Sequence, residues 1–220
     1  MPTTPLEFPS KIDLQQFVSH YAHDLRSPFN RMMGFLKIVL KGQDGPLTDL
    51  QKEDLNTVYQ NSVYAFTMVA NLIDISRFIA GEKSLNLAEA GVGSLYQQAI
   101  GQWQKYHTEL PVQFEIKVPD GMAPIQADSI LLSQAIAGMI ACVVECVKPP
   151  VQVSLAAEDG PEGCVFTLRG TGKLAPNPAH LDIDTYGYIA QTVVSLHGGE
   201  IRLKEISDEG AVIQFVLPKN

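Results

Sequence analysis

Apolar side chains in the first third of the chain recur in alternating steps of three and four. Leu14, Phe17, Tyr21, Leu25, Pro28, Met32, Phe35 and Val39 follow this rhythm, which marks a helix burying one seam against other helices. Leu55, Val58, Ser62, Ala65, Val69, Leu72, Ser76 and Ile79 repeat it. Between the two runs, Gly42-Gln43-Asp44-Gly45-Pro46 stops the first helix. Thr48 or Asp49 then caps the second, with Gln51 or Lys52 in its first turn. The pattern predicts helices over about 13–41 and about 49–79, joined as an antiparallel hairpin. Val18, Phe29, Leu36, Phe66 and Ile73 add apolar surface beyond a single stripe. Two helices cannot bury two faces alone, so the hairpin is expected to form a four-helix bundle with a second copy, as a homodimer.

The period changes at Ala80-Gly81-Glu82-Lys83. Residues 93–106 read as a helix with Leu95, Ala99 and Trp103 on one side. Val112, Phe114, Ile116 and Val118 alternate with polar residues and predict a strand. An apolar helix at 129–146 ends at Lys148-Pro149-Pro150. Strands at 151–155 and 164–169 flank a turn at 158–163. A helix at 185–196 is capped by His197-Gly198-Gly199. Strands at 200–205 and 211–217 close the chain as a hairpin. The expected fold class is α+β with two domains: a helical hairpin, then an α/β sandwich whose mostly antiparallel sheet is covered by helices on one face. The expected boundaries are a flexible lead-in at 1–12, the hairpin at 13–82 and the sandwich at 83–220.

Composition narrows the functional classes. The 220 residues suffice for two small cores. No apolar run approaches the roughly 18 residues of a membrane span, and the Pro- and Thr-rich start has no signal-peptide pattern. A formal charge of −8 with scattered Lys and Arg argues against nucleic acid or an anionic membrane as partner. Three cysteines make no disulfide framework. Cys142 and Cys146, four apart in an apolar helix, read as buried thiols and not metal ligands. A cytoplasmic protein is expected.

The candidate chemistry sits on the first helix. At about 100° per residue, His23 falls about 160° from the mean direction of the seam. Arg26, Ser27 and Asn30 share its side at i+3, i+4 and i+7. The imidazole is expected on a rigid rod, facing solvent. Most isolated surface histidines have no duty, but Pro28 follows one turn later. It removes a backbone donor and kinks the helix or frees the Asp24 carbonyl, which a purely packing helix would not need. His20 lacks this context. His107 and His180 sit in loop-like, solvated settings, and His197 ends a helix, where an imidazolium suits the dipole.

His23-Asp24-Leu25-Arg26-Ser27-Pro28-Phe29-Asn30, followed by Gly34-Phe35, resembles the H-box of the sensor histidine kinases of bacterial two-component systems, whose histidine is the phosphoacceptor. Leu72-Ile73-Asp74-Ile75-Ser76-Arg77 with Ala80-Gly81 is similar to the end of that family's second bundle helix. Ala127-Asp128 with Leu132 and Gln134 resembles the start of its N-box helix. Leu196-His197-Gly198-Gly199 and the last two strands resemble the end of its ATP-binding domain. The likeness covers nearly the whole chain and implies a dimeric bundle followed by an ATPase-like sandwich.

The nucleotide-binding letters depart from the family. Its magnesium- and phosphate-holding asparagines fall on Gly138 and Cys142, which offer a hard cation no oxygen. In Leu168-Arg169-Gly170-Thr171-Gly172-Lys173-Leu174-Ala175-Pro176 the adenine-reading aspartate is Gly170 and one glycine is Leu174. The second glycine box falls on Asp184-Thr185-Tyr186-Gly187-Tyr188, a carboxylate and two rings in place of open amides. Too few residues separate Pro176 from Asp184 for a lid. A degenerate site is therefore expected, with neither ATP nor magnesium as cofactor.

The resemblance implies the roles. His23 is the nucleophile, since a neutral imidazole attacks phosphorus readily near pH 7. Asp24 accepts the other ring N–H, fixes the tautomer and steadies the cation, though a solvated acid is its default. Arg26 pairs with phosphoryl oxygens or a partner's acidic pocket. Ser27 stands where such kinases keep a residue that orients water. Asn30 and Lys37, further along the face, contact the partner, a response-regulator receiver domain. The expected function is a histidine phosphotransferase of a phosphorelay. The rival is a non-catalytic pseudokinase that binds a response regulator or an active kinase, with trans-phosphorylation by such a kinase a third reading.

Overall fold

The computed structural model of the chain describes residues 14–43, 45–79, 81, 84–107, 110–175 and 180–218. The expected lead-in lies outside the described residues. The chain divides into two compact units, Met1–Glu82 and Lys83–Asn220.

The first unit is the hairpin of α1 (Leu14–Leu40) and α2 (Asp49–Ile79). Helix α1 closes through Gly42, at φ 68°. Its N–H reaches the Val39 carbonyl at 2.9 Å, and that of Gln43 reaches the Ile38 carbonyl at 3.4 Å. This pair of bonds needs a left-handed residue, which glycine supplies. Thr48, not Asp49, caps α2. Its Oγ accepts from the Gln51 N–H at 3.2 Å, while Gln51 Oε1 accepts from the Thr48 N–H at 3.0 Å. Two otherwise orphaned donors are thereby satisfied reciprocally.

The hairpin's internal contact uses the apolar residues beyond the seams. Phe29 and Phe66 meet with ring centres 6.0 Å apart, flanked by half-buried Met33, Leu36 and Leu40 and by buried Val63 and Ile73. Four seam residues stay uncovered: Phe35 is 68% exposed, Val58 and Leu72 50% each, and Met32 47%. One apolar face is thus spent inside the chain and the other is left over.

The second unit contains β1 (Ala88–Ala90), α3 (Val92–Tyr106), β2 (Val112–Lys117), β3 (Ile125–Ala127), α4 (Ser129–Glu145), β4 (Val151–Asp159), β5 (Cys164–Thr171), α5 (His180–Leu196), β6 (Glu200–Ser207) and β7 (Gly210–Leu217). Five strands form one sheet in the order β2-β4-β5-β7-β6. Only β2 and β4 run parallel, while the other three pairings are antiparallel. Buried positions alternate along β4 and β5, as in a sheet with one covered face. On that face Phe166 and Phe215 stack at 4.5 Å. Tyr96 meets Phe166 edge-on and donates its hydroxyl to the Ala156 carbonyl at 2.5 Å. Burial pushes this phenol well above its ordinary range. Trp103 is buried between the Phe114 edge, at 5.5 Å, and the His107 ring, stacked at 4.6 Å.

Helix α4 is the centre of this core, with Leu132, Ile136, Met139, Ile140 and Val143 almost fully enclosed. Cys142, Cys146 and Cys164 are buried free thiols, and burial raises the Cys146 pKa. No helix among the described residues is long and apolar enough to cross a membrane.

Candidate functional site

Helix α1 runs unbroken through Pro28 and holds position 23 in its first half. Proline has no N–H, so position 28 itself donates nothing to the preceding turn. The side chain of His23, expected to face outward, lies outside the described residues. Asp24, Arg26, Ser27 and Asn30 are all exposed. Helical spacing sets 26, 27 and 30 on the face of position 23. An acid, a guanidinium, a hydroxyl and an amide are therefore accessible within seven residues of the histidine. Lys37 is exposed further along, with its ammonium 5.6 Å from the centre of the Tyr59 ring. That contact gives Lys37 an occupation within the hairpin that the sequence did not suggest.

The second region of interest is the α4–α5–β5 corner. Gly138 of α4 faces Tyr186 of α5: a Cβ at 138 would lie 3.3 Å from Tyr186 Cδ1 and 3.4 Å from its Cβ. Gly170 of β5 faces the α4 backbone, where a Cβ would fall 2.8 Å from the Val143 carbonyl oxygen. Cys142 is 6% exposed. The segment after β5 is stitched to the end of α4. Lys148 N–H donates to the Lys173 carbonyl at 2.6 Å and Ala175 N–H to that of Cys146 at 2.9 Å. Positions 138, 142 and 170 carry no side-chain oxygen that could reach a hard cation, and all three are packed against protein.

Asp128, just before α4, ties three segments of this unit together. Its Oδ1 accepts from the Leu131 N–H at 3.0 Å and its Oδ2 from the Asn86 N–H at 2.9 Å. Burial opposes the charged form, but backbone donors from Leu131, Asn86 and Ile130 outweigh it and hold the carboxyl below its ordinary range. The Asp128 N–H donates to His197 Nε2 at 3.0 Å, and His197 Nδ1 lies 2.7 Å from the Val193 carbonyl. Nε2 is thus the acceptor of this network and Nδ1 faces a carbonyl. The ring is no solvated surface group. Nor is His107 a solvated loop residue: it is half-buried, stacked on Trp103, with Nδ1 2.9 Å from the Trp103 carbonyl. His180 opens α5 and does not sit in a loop.

Tyr186 and Asp128 are the residues whose parts sequence reasoning missed. The only signal for Tyr186 was an aromatic ring where open amides belonged.

Residues 13–81 match the model of the His Kinase A (phospho-acceptor) domain. Over 224 residues the chain is 20% identical to the circadian input-output histidine kinase CikA of Synechococcus elongatus, covering 93% of this chain and 30% of CikA. It spans between 14% and 37% of the length of the first three curated relatives it matches. Full-length ShkA, solved in complex with AMPPNP, shares the fold with a TM-score of 0.71 at 19% identity, over 93% of this chain and 46% of that one. Histidine kinase ThkA, solved in complex with response regulator protein TrrA, does so with a TM-score of 0.56 at 16% identity, over 93% and 61%.

Proposed function

We propose that the chain belongs to the two-component sensor histidine kinase family, as its phospho-acceptor match and its curated relatives support, and that it is a histidine phosphotransferase. It relays phosphoryl groups between response-regulator aspartates through His23, in the cytoplasm, as a homodimer and without ATP. The observation that carries this reading is the co-occurrence of two features. Position 23 lies within the phospho-acceptor match, while 138, 142 and 170 are packed against protein.

In the first step a ring nitrogen of His23 attacks the phosphorus of a receiver's aspartyl phosphate. A P–N bond forms, the P–O bond breaks, and the aspartate carboxylate leaves. A second receiver's aspartate reverses the exchange, so no nucleotide is consumed. Such transfer needs placement and charge stabilisation more than covalent work from the protein. Asp24 holds the other ring N–H, Arg26 meets phosphoryl oxygens, and Ser27 orients water in the competing hydrolysis. Asn30 and Lys37 touch the receiver. The ThkA–TrrA complex supports a response regulator as partner. The uncovered Met32, Phe35, Val58 and Leu72 support a second copy as the cover.

Incubation with a receiver bearing radiolabelled aspartyl phosphate tests the proposal. Label should reach this chain and be absent from His23→Ala. Binding without label would instead favour the non-catalytic regulator, and label appearing only with an active kinase and ATP would favour phosphorylation in trans. Self-labelling from Mg–ATP alone would overturn the ATP-independent reading.

A further inference from the structure

We infer that the α4–α5–β5 corner, where the resembling kinases hold nucleotide, has been closed by packing of the protein on itself. The ring of Tyr186 occupies a notch made by Gly138, and Gly170 lets β5 touch the backbone of α4. The inference rests on the ATP-independent reading and deepens it. Gly138 and Gly170 are more than missing ligands: a Cβ at 170 would clash with the Val143 carbonyl oxygen, and one at 138 would crowd Tyr186. Restoring the ligands would therefore break packing before it restored binding.

Gly138 sits in the interior of α4 among almost fully buried neighbours. Glycine is a poor helix residue, so its presence at the point of contact with another helix indicates a demand for space. Tyr186 meets it with both ring and stem, through Cδ1, Cγ and Cβ, all within 3.6 Å of where a Cβ would stand. An asparagine there would need to enter that volume. Gly170 is tighter. It lies inside β5, paired with Val153 on one side and Ala211 on the other, so the strand cannot readily retreat. A Cβ at 2.8 Å from the Val143 oxygen and 3.2 Å from the Val143 carbonyl carbon is closer than side chains tolerate. Both contacts involve α4, on elements that reach it from different parts of the sequence. Simple decay of a binding site would leave a lined hollow. Here glycine stands where the protein itself comes closest.

The test uses the full chain, calorimetric melting of residues 83–220, and millimolar Mg–ATP as the probe. Gly138→Asn and Tyr186→Ala should each lower the transition by about 4 °C or more. The double variant should lose clearly less than the sum, since the asparagine enters the volume the ring vacates. Gly170→Asp should be the most damaging, and if it does not fold, the Gly138–Tyr186 cycle decides alone. Mg–ATP should shift none of them. The inference is overturned if Gly138→Asn melts like the parent, if the two losses simply add, or if Gly138→Asn combined with Gly170→Asp produces a nucleotide-dependent rise. A rise with Mg–ATP in the unaltered chain would instead remove the ATP-independent reading on which the inference stands.

Discussion

Replacing His197 by leucine isolates one hydrogen bond in the second unit. The imidazole is 9% exposed and accepts the Asp128 N–H through Nε2. Leucine keeps the volume roughly constant but offers no acceptor, so that buried amide loses its partner. An orphaned buried donor costs about 1–3 kcal/mol. The second bond, from Nδ1–H to the Val193 carbonyl, leaves no orphan when lost, because that oxygen also accepts the His197 backbone N–H at 3.2 Å. The change of shape adds less than about 1.5 kcal/mol. A total near 2 kcal/mol corresponds to a fall of about 4–8 °C in the melting temperature of a unit this size. Scanning calorimetry of the full chain at neutral pH measures it directly. An unchanged transition in His197→Leu would refute the assignment of Nε2 as acceptor.

Asp128 gives the pH dependence. Its folded pKa is lowered, so its contribution is complete above the ordinary carboxylate value of about 3.9 and is lost as pH falls through the lowered folded value. The melting temperature of the parent should drop more steeply in acid than that of Asp128→Asn, and parallel curves would contradict this. Thr48→Ala removes one half of the reciprocal cap on α2 and should cost the hairpin about 0.5–2 kcal/mol, read as a lower midpoint in helical circular dichroism. Phe35→Glu places a charge on the uncovered apolar face and should convert dimer to monomer in sedimentation velocity. A dimer surviving that change would place the partner copy elsewhere.

Both long helices were legible because a sustained three-and-four rhythm has no competing interpretation, and their ends carry chemistry of their own at Gly42 and Thr48. Short elements were not. Strands β1 and β3 have three residues each, too few for any period, and exist because each pairs with the other. The outer half of β4, Ala156-Ala157-Glu158-Asp159, is a poor strand by composition. Its pairing with Phe166, Val165 and Cys164 overrides local preference. The same distinction governs the sites. The H-box is contiguous, so its letters can be read together. The part His197 plays as an acceptor could not be foreseen, since its partner Asp128 lies 69 residues away. Gly138 read as an absent ligand because nothing in the sequence shows that a tyrosine from α5 comes to rest on it.

The chain has a single tryptophan, and Trp103 is enclosed in the second unit against Phe114 and the flat of His107. Intrinsic indole emission therefore reports on the sandwich. Far-ultraviolet dichroism, by contrast, is weighted toward the two long helices. Followed together through one denaturant titration, the two signals give each unit its own curve without dissecting the chain, and any gap between the midpoints measures how independently the halves come apart.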